Sequence, residues 1–196
     1  RDAESVREAL AKLEATAGKL PAARNLLGRR RRTNRRELQG RVENLLQQLP
    51  NARARVALWP ELDDRFATIA GGAERTLRAG REAYEVVLAA PSPAAFHELR
   101  KRVKDHWYHV QLLRRLWPER MKGESAAVEV LSDALGDHHD LHLLELALGS
   151  EGPAEAIAAR RAELEETALA AARRLFSEPP GAWRRRMRGY WRASRS

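Results

Sequence analysis

Phe96-His97-Glu98-Leu99-Arg100-Lys101-Arg102-Val103-Lys104-Asp105-His106-Trp107-Tyr108 is the stretch whose pattern decides the fold. Wound at the helical step from Phe96, the chain brings Phe96, Leu99, Val103, His106, Trp107, Val110, Leu113 and Trp117 within about a third of the circumference. That arc is a core face. His97, Arg100, Lys101, Lys104, Tyr108 and Arg115 share the neighbouring arc, so a line of cations about five turns long runs along one edge of the core. Like charges at these spacings repel by a few tenths of a kcal/mol per pair. Glu98 and Asp105, which could relieve that repulsion, fall on the other side by this winding. A solvated basic face is the plain reading. A surface built to receive an anion is the sharper one, and the position beside the core favours it.

The same period fills the rest of the chain. It predicts helices near 2–17, 22–49, 54–70, 73–90, 92–116, 120–135, 137–149, 152–177 and 180–193. Breaks are expected at Gly18, Pro50, Gly71-Gly72, Pro91-Ser92-Pro93, Pro118, Gly149 to Pro153 and Pro179-Pro180. Ser92 before Pro93 reads as an N-cap with proline in the first turn. No stretch alternates as a strand would. The fold class expected is all-α.

Three further helices carry arginines at the edge of an apolar stripe. Leu38, Val42, Leu45 and Leu49 form one such stripe, and Arg31 and Arg35 extend its line toward the N-terminus. Arg78 and Arg81 flank Leu77, Tyr84 and Leu88. Arg184 and Arg188 lie beside Trp183, Met187 and Tyr190. Arginines continuing a core seam are rarely left buried and unpaired. They pair with acids or line a cavity for anions, and if the four edges converge the product is a basic groove.

Composition points the same way. The chain has 196 residues, 43% hydrophobic and 32% charged, and a net charge of +9. Five of the 36 cationic side chains are lysine and the other 31 are arginine. Arginine's planar fork grips phosphate bidentately, which suits a phosphate-rich partner, although a GC-rich genome also inflates arginine. With no cysteine there is neither a disulfide framework nor a thiolate nucleophile, as in a reducing cytoplasm. No run of about 18 apolar residues is present, so no membrane partner is expected.

An internal repeat is faint but visible. Asp2-Ala-Glu-Ser-Val6-Arg-Glu-Ala-Leu10 resembles Asp140-Leu-His-Leu-Leu144-Glu-Leu-Ala-Leu148. Each is followed by a break and a long Arg/Ala/Glu helix. The division expected is a first, incomplete helical unit over 1–90 and a second over 91–196. The counterparts of 94–135 in the first unit would precede Arg1.

Phe96 to Lys104 resembles the signature helix of the CHAD family, the conserved histidine α-helical domain. Leu135-Gly136-Asp137-His138-His139-Asp140-Leu141 resembles that family's second signature, and Arg1-Asp2 its counterpart in the first repeat. Arg78 and Arg81 resemble the basic helix preceding the signature. The similarity spans most of the chain, with its specific motifs in about thirty residues. It implies two pseudo-symmetric helical bundles with a basic groove or cavity between them, binding inorganic polyphosphate. It also implies a targeting or accessory module without turnover, cytoplasmic and associated with polyphosphate granules. By position, His97, Arg100, Lys101 and Lys104 take the signature's basic roles. The resemblance departs at His106 and Trp107, where many members carry Leu and Arg, which removes one cation.

The polyphosphate-binding set expected is therefore His97, Arg100, Lys101, Lys104, Arg31, Arg35, Arg78, Arg81, Arg115, Arg184, Arg188 and His139. No catalytic residue, metal ligand or cofactor is assigned. His138, His139, Asp140 and His142 keep three readings: helix-end packing with Asp140 as a cap, phosphate contact, and a metal-dependent phosphohydrolase site. The tail from Trp183 to Arg195 interleaves aromatics with arginines, so nucleic acid is the competing partner. Core packing by those aromatics is the alternative.

Overall fold

Ser92 shows how local chemistry sets the helix boundaries. Its backbone is extended and its hydroxyl accepts the Ala95 N–H at 3.2 Å, with Pro93 next in line. That satisfies one of the orphan donors of the first turn. Gly18 at φ 86° follows α1, and Gly149 at φ 63° closes α6. Both occupy left-handed backbone that glycine adopts at little cost.

The computed structural model describes residues 2–30, 35–61 and 63–195. Among them are eight α-helices and no strand. They are α1 (Asp2–Ala17), α2 (Pro21–Arg30), α3 (Arg35–Ala57) and α4 (Phe66–Ala89), then α5 (Pro93–Leu113), α6 (Pro118–Leu148), α7 (Ala154–Leu175) and α8 (Pro180–Ala193). A short 3-10 turn, Gly149–Glu151, separates α6 from α7. The chain is all-α, as the periodicity predicts.

Three expected boundaries are absent. Pro50 lies inside α3, Gly71-Gly72 inside α4 and Gly136 inside α6. Each glycine costs about 1 kcal/mol relative to alanine in a helix, which tertiary packing readily overrides. Ala70, Ala73 and Leu77 bury the α4 turns around Gly71-Gly72. A Cβ at Gly72 would lie 3.7 Å from His109 Nε2, an ordinary van der Waals contact, so the position faces α5 without requiring glycine. Leu131, Leu135 and Leu141 do the same for α6 across Gly136. Asp140 is consequently in mid-helix, not at a helix start, and is no N-cap.

Packing is organised around α6, which is roughly 46 Å long at the helical rise. Its N-terminal part joins α4, α5, α8 and the C-terminal part of α7 in one core, including Leu77, Phe96, Leu99, Val103, Val128, Phe176 and Trp183. Its C-terminal part joins α1, α2 and the start of α7 in a second, around Leu10, Leu13, Leu144 and Ile157. Along α5, Phe96, Leu99, Val103, His106, Val110 and Leu113 are buried and Trp107 is half-buried, matching the predicted face. Trp117 and Arg115 lie beyond the end of α5, and the Trp117 ring meets Tyr190 at 5.5 Å. Trp183 and Met187 are buried as expected. Leu88, expected beside Leu77 in a stripe, is exposed.

The stripe of α3 departs most. Val42, Leu45 and Leu49 are exposed at 47%, 63% and 59%, so this face is covered by nothing among the described residues. Periodicity reports that a helix is amphipathic, not that a partner is present. The Leu38 side chain lies outside the described residues.

His106 is fully buried against Trp183, with neither ring nitrogen hydrogen-bonded. Burial, helped by the nearby His109, pushes its pKa down to about 4. Above the ordinary value of 6.5 the imidazole is neutral in both states and this group adds no pH dependence. Between 6.5 and about 4 the unfolded chain takes up a proton that the folded chain refuses. Stability should therefore fall as pH drops through that window, by up to roughly 3 kcal/mol from this residue. Urea titrations at pH 7.5 and pH 5 check this: His106→Leu should flatten the difference, and an unchanged difference would assign it to other groups.

Candidate anion-binding face

The site is built where α5 crosses α6. Phe96 points into the core and meets the His138 ring at 4.6 Å. One residue along on each helix, the His97 and His139 rings stack at 4.7 Å. His138 is turned inward, 4% exposed, with Nε2 3.2 Å from Glu165 Oε1 on α7. The adjacent histidines thus divide their work: His138 ties α5, α6 and α7 together, while His139 faces His97 at the surface. Burial holds the His138 pKa below its ordinary value, and Glu165 pulls the other way.

Arg100, one turn beyond His97, is half-buried, and its Nε is buried without a hydrogen-bond partner. It stands near enough to His139 that burial first, then the charges of Arg100 and His97, lower the His139 pKa. Lys104 lies 4.7 Å over the Trp107 ring. Neither Arg100 nor Lys104 has an acidic partner among the described residues. Lys101 differs. Its Nζ donates to Glu98 Oε2 at 2.7 Å, and Arg102 takes the other oxygen of Glu98. The Lys101 hydrogen bond, supported by Arg102, keeps the Glu98 carboxyl below the usual range. Glu98 thus reaches the cation line that the winding placed it away from, and neutralises part of it.

The other expected residues are gathered differently. Arg78 and Arg184 converge on Glu74, at 3.2 Å and 3.0 Å, and join α4 to α8. Arg81 donates to Glu85 at 3.4 Å. Arg115 and Arg188 are exposed and have no acidic partner among the described residues. Arg31 lies outside the described residues, as does the side chain of Arg35. α4 meets α5 at His109, whose Nδ1 is 3.3 Å from Thr76 Oγ1, whereas α6 meets it at His97. These two positions are about 120° apart around α5. The α4–α8 cations and the α5–α6 cations therefore flank α5 on different sides, so the described helices do not bring all the arginine edges to one line.

Two contributions were invisible in the sequence. Lys12 on α1 reaches Asp137 on α6 at 2.8 Å, and Arg160 on α7 approaches the same carboxylate at 3.9 Å. The second signature thus anchors three helices through Asp137, a residue that the sequence reading left without a role. Glu165 is the other; its pairing with His138 spans 27 positions, and no local spacing signals it. His142 Nδ1 is 3.5 Å from Glu145, which also receives Arg161. Among the described residues, no group of three or more His, Asp or Glu side chains is arranged to hold a metal ion. None of the described helices is long and apolar enough to cross a membrane.

No curated protein and no solved structure matches the chain significantly. The family model for the CHAD domain matches residues 1–149, about three quarters of the sequence, and includes α5 and all of the histidine-bearing helix α6. With both signature segments meeting at the His97–His139 stack, the chain belongs to the CHAD domain family.

Proposed function

We propose that this chain binds inorganic polyphosphate, without turning it over, on the α5–α6 face formed by His97, Arg100, Lys104 and His139. The observation that carries the reading is the His97–His139 stack beside Arg100, a cation that no carboxylate neutralises among the described residues. Cations are costly to crowd unless an anion shares the site. Membership of the CHAD family supports phosphate chemistry there. Arg100 supplies a planar fork, Lys104 a point charge, and the two imidazoles further N–H donors. Lys101 contributes less, because Glu98 already engages it. Arg115, Arg188 and the α4–α8 cations add a long-range positive field that steers a polyanion toward the molecule. Its place in the cell would then follow polyphosphate.

The nucleic-acid reading loses its main support. Trp183 is 2% exposed and Trp191 packs on Phe66 at 6.0 Å, so the tail's aromatics are engaged in the core and not presented to bases.

Binding should be proton-linked. Burial first, then the neighbouring Arg100 and His97, hold the His139 pKa low, and an arriving polyanion pulls the other way. Protons are then taken up on binding, and affinity rises as pH falls through the histidine range. Titrating fluorescent long-chain polyphosphate at pH 8 and pH 6 measures this directly. Tighter binding at pH 6, lessened by His139→Gln, is the expected result. No binding at either pH at moderate salt would remove the reading.

A further inference from the structure

Gly136 is a poor helix former in the middle of α6, and no close approach accounts for it. A Cβ built there meets nothing within 4 Å, whereas at Gly80 it would meet the Phe176 ring at 2.9 Å. Gly18, Gly28, Gly40, Gly123 and Gly189 are equally open, but they are exposed; among these described glycines Gly136 alone is half-buried. Open space beside a half-buried backbone is a hollow.

The register says what lines it. Residues 114–117 join α5 to α6 in an antiparallel hairpin, and the His97–His139 stack fixes its alignment. Counting from that stack toward the hairpin, Arg100 comes opposite Gly136 after about 4.5 Å, and Lys104 opposite Ser132 after about 10.5 Å. Around α6, Ser132 falls about 20° from His139, and Gly136 about 60° from it on the outer flank. Asp137 and His138, which take the contacts from α1 and α7, are about 100° and 200° round from Gly136, so those helices lie on other sides of α6. Ser132 is 4% exposed, and its hydroxyl has no hydrogen-bond partner among the described residues. The Arg100 Nε is buried and unpartnered in the same way. Both groups donate, and burying a donor unpaired is costly. Two such donors beside one hollow, under a line of cations, suit an anionic oxygen.

We propose that the hollow at Gly136 is a phosphate slot, in which one phosphate of the bound chain settles between the levels of Arg100 and Lys104 and accepts a hydrogen bond from the Ser132 hydroxyl. The inference rests on the polyphosphate reading and adds to it two uncharged residues, Gly136 and Ser132. Ser125, one heptad earlier on α6, is also buried without a partner among the described residues. It comes opposite Gln111, beyond Lys104, and has no part in the slot.

Fluorescence anisotropy with labelled long-chain polyphosphate at fixed pH and salt tests it, read beside the thermal midpoint of each variant. Gly136→Leu fills the hollow and should weaken binding by about tenfold, while its midpoint holds or rises because leucine is the better helix former. Ser132→Ala removes a donor to a charged oxygen and should also weaken binding by about tenfold. Its midpoint should not fall, since the unpaired hydroxyl goes with it. Ser125→Ala should keep full affinity. Full affinity in Gly136→Leu or Ser132→Ala, with the wild type binding, would overturn the slot and leave the polyphosphate face standing. Losses that track a falling midpoint, or a loss as large in Ser125→Ala as in Ser132→Ala, would overturn it too. A wild-type chain that binds no polyphosphate would remove both the slot and the reading it rests on.

Discussion

Reversing Arg100 and Lys104 together, Arg100→Glu with Lys104→Glu, should reduce polyphosphate affinity by at least about a hundredfold. Charge-assisted hydrogen bonds contribute about 1.5–3 kcal/mol each, and the variant removes two donors while adding two repulsive carboxylates. Binding that neutralises phosphates also releases counterions, so the plot of log affinity against log salt should flatten by roughly 1.5 units if two contacts are lost. Neither cation has an acidic partner among the described residues, so the thermal midpoint should change little. The matched control is Arg78→Glu, whose cation already shares Glu74 with Arg184 on the other flank of α5. It should lower affinity only through the general field. Equal losses from the two variants, measured by fluorescence anisotropy, would mean that no particular face is used.

Trp183→Ala should be the most damaging single change to stability. The ring is 2% exposed in the larger core, meets His106 edge-on at 5.4 Å, and donates its N–H to Glu124. Deleting a buried indole costs about 3–5 kcal/mol. Glu124, only 10% exposed, would keep the Arg186 ion pair at 2.8 Å but lose the indole donor. For a chain of this size the thermal midpoint should fall by roughly 10 °C. Trp183→Phe should fall between, since it fills most of the space and lacks the donor. At a temperature where the alanine variant is still folded, polyphosphate affinity should be retained. A large loss of affinity in a folded Trp183→Ala chain would revive a stacking role for the tail.

Residues 96–113 were readable from sequence because a helix fixes each side chain's angle about its own axis. Phe96, Leu99, Val103, His106, Val110 and Leu113 therefore appeared in advance as one face. Caps were readable for the same local reason, as at Ser92 and Pro93. The failures share a cause. Gly71-Gly72 and Gly136 sit within helices because neighbouring turns are buried against other elements, which a propensity does not contain. The Leu45 and Leu49 stripe has the period of a core face and is exposed. The winding set arginines beside apolar stripes, yet carried no information on how those helices are arranged around α5. His97 and His139 were each plausible anion contacts from sequence; that their rings stack is a fact of how α5 crosses α6.

The central claim is that the α5–α6 face recognises polyphosphate in preference to other polyanions. The most direct test is competition: labelled long-chain polyphosphate bound to the chain at physiological salt, challenged with single-stranded RNA and duplex DNA at equal phosphate concentration. The account predicts that both nucleic acids displace polyphosphate poorly, because in the arginine-rich tail Trp183 is buried and Trp191 packs on Phe66. Ready displacement by RNA or DNA would contradict it and make the face a general phosphate surface.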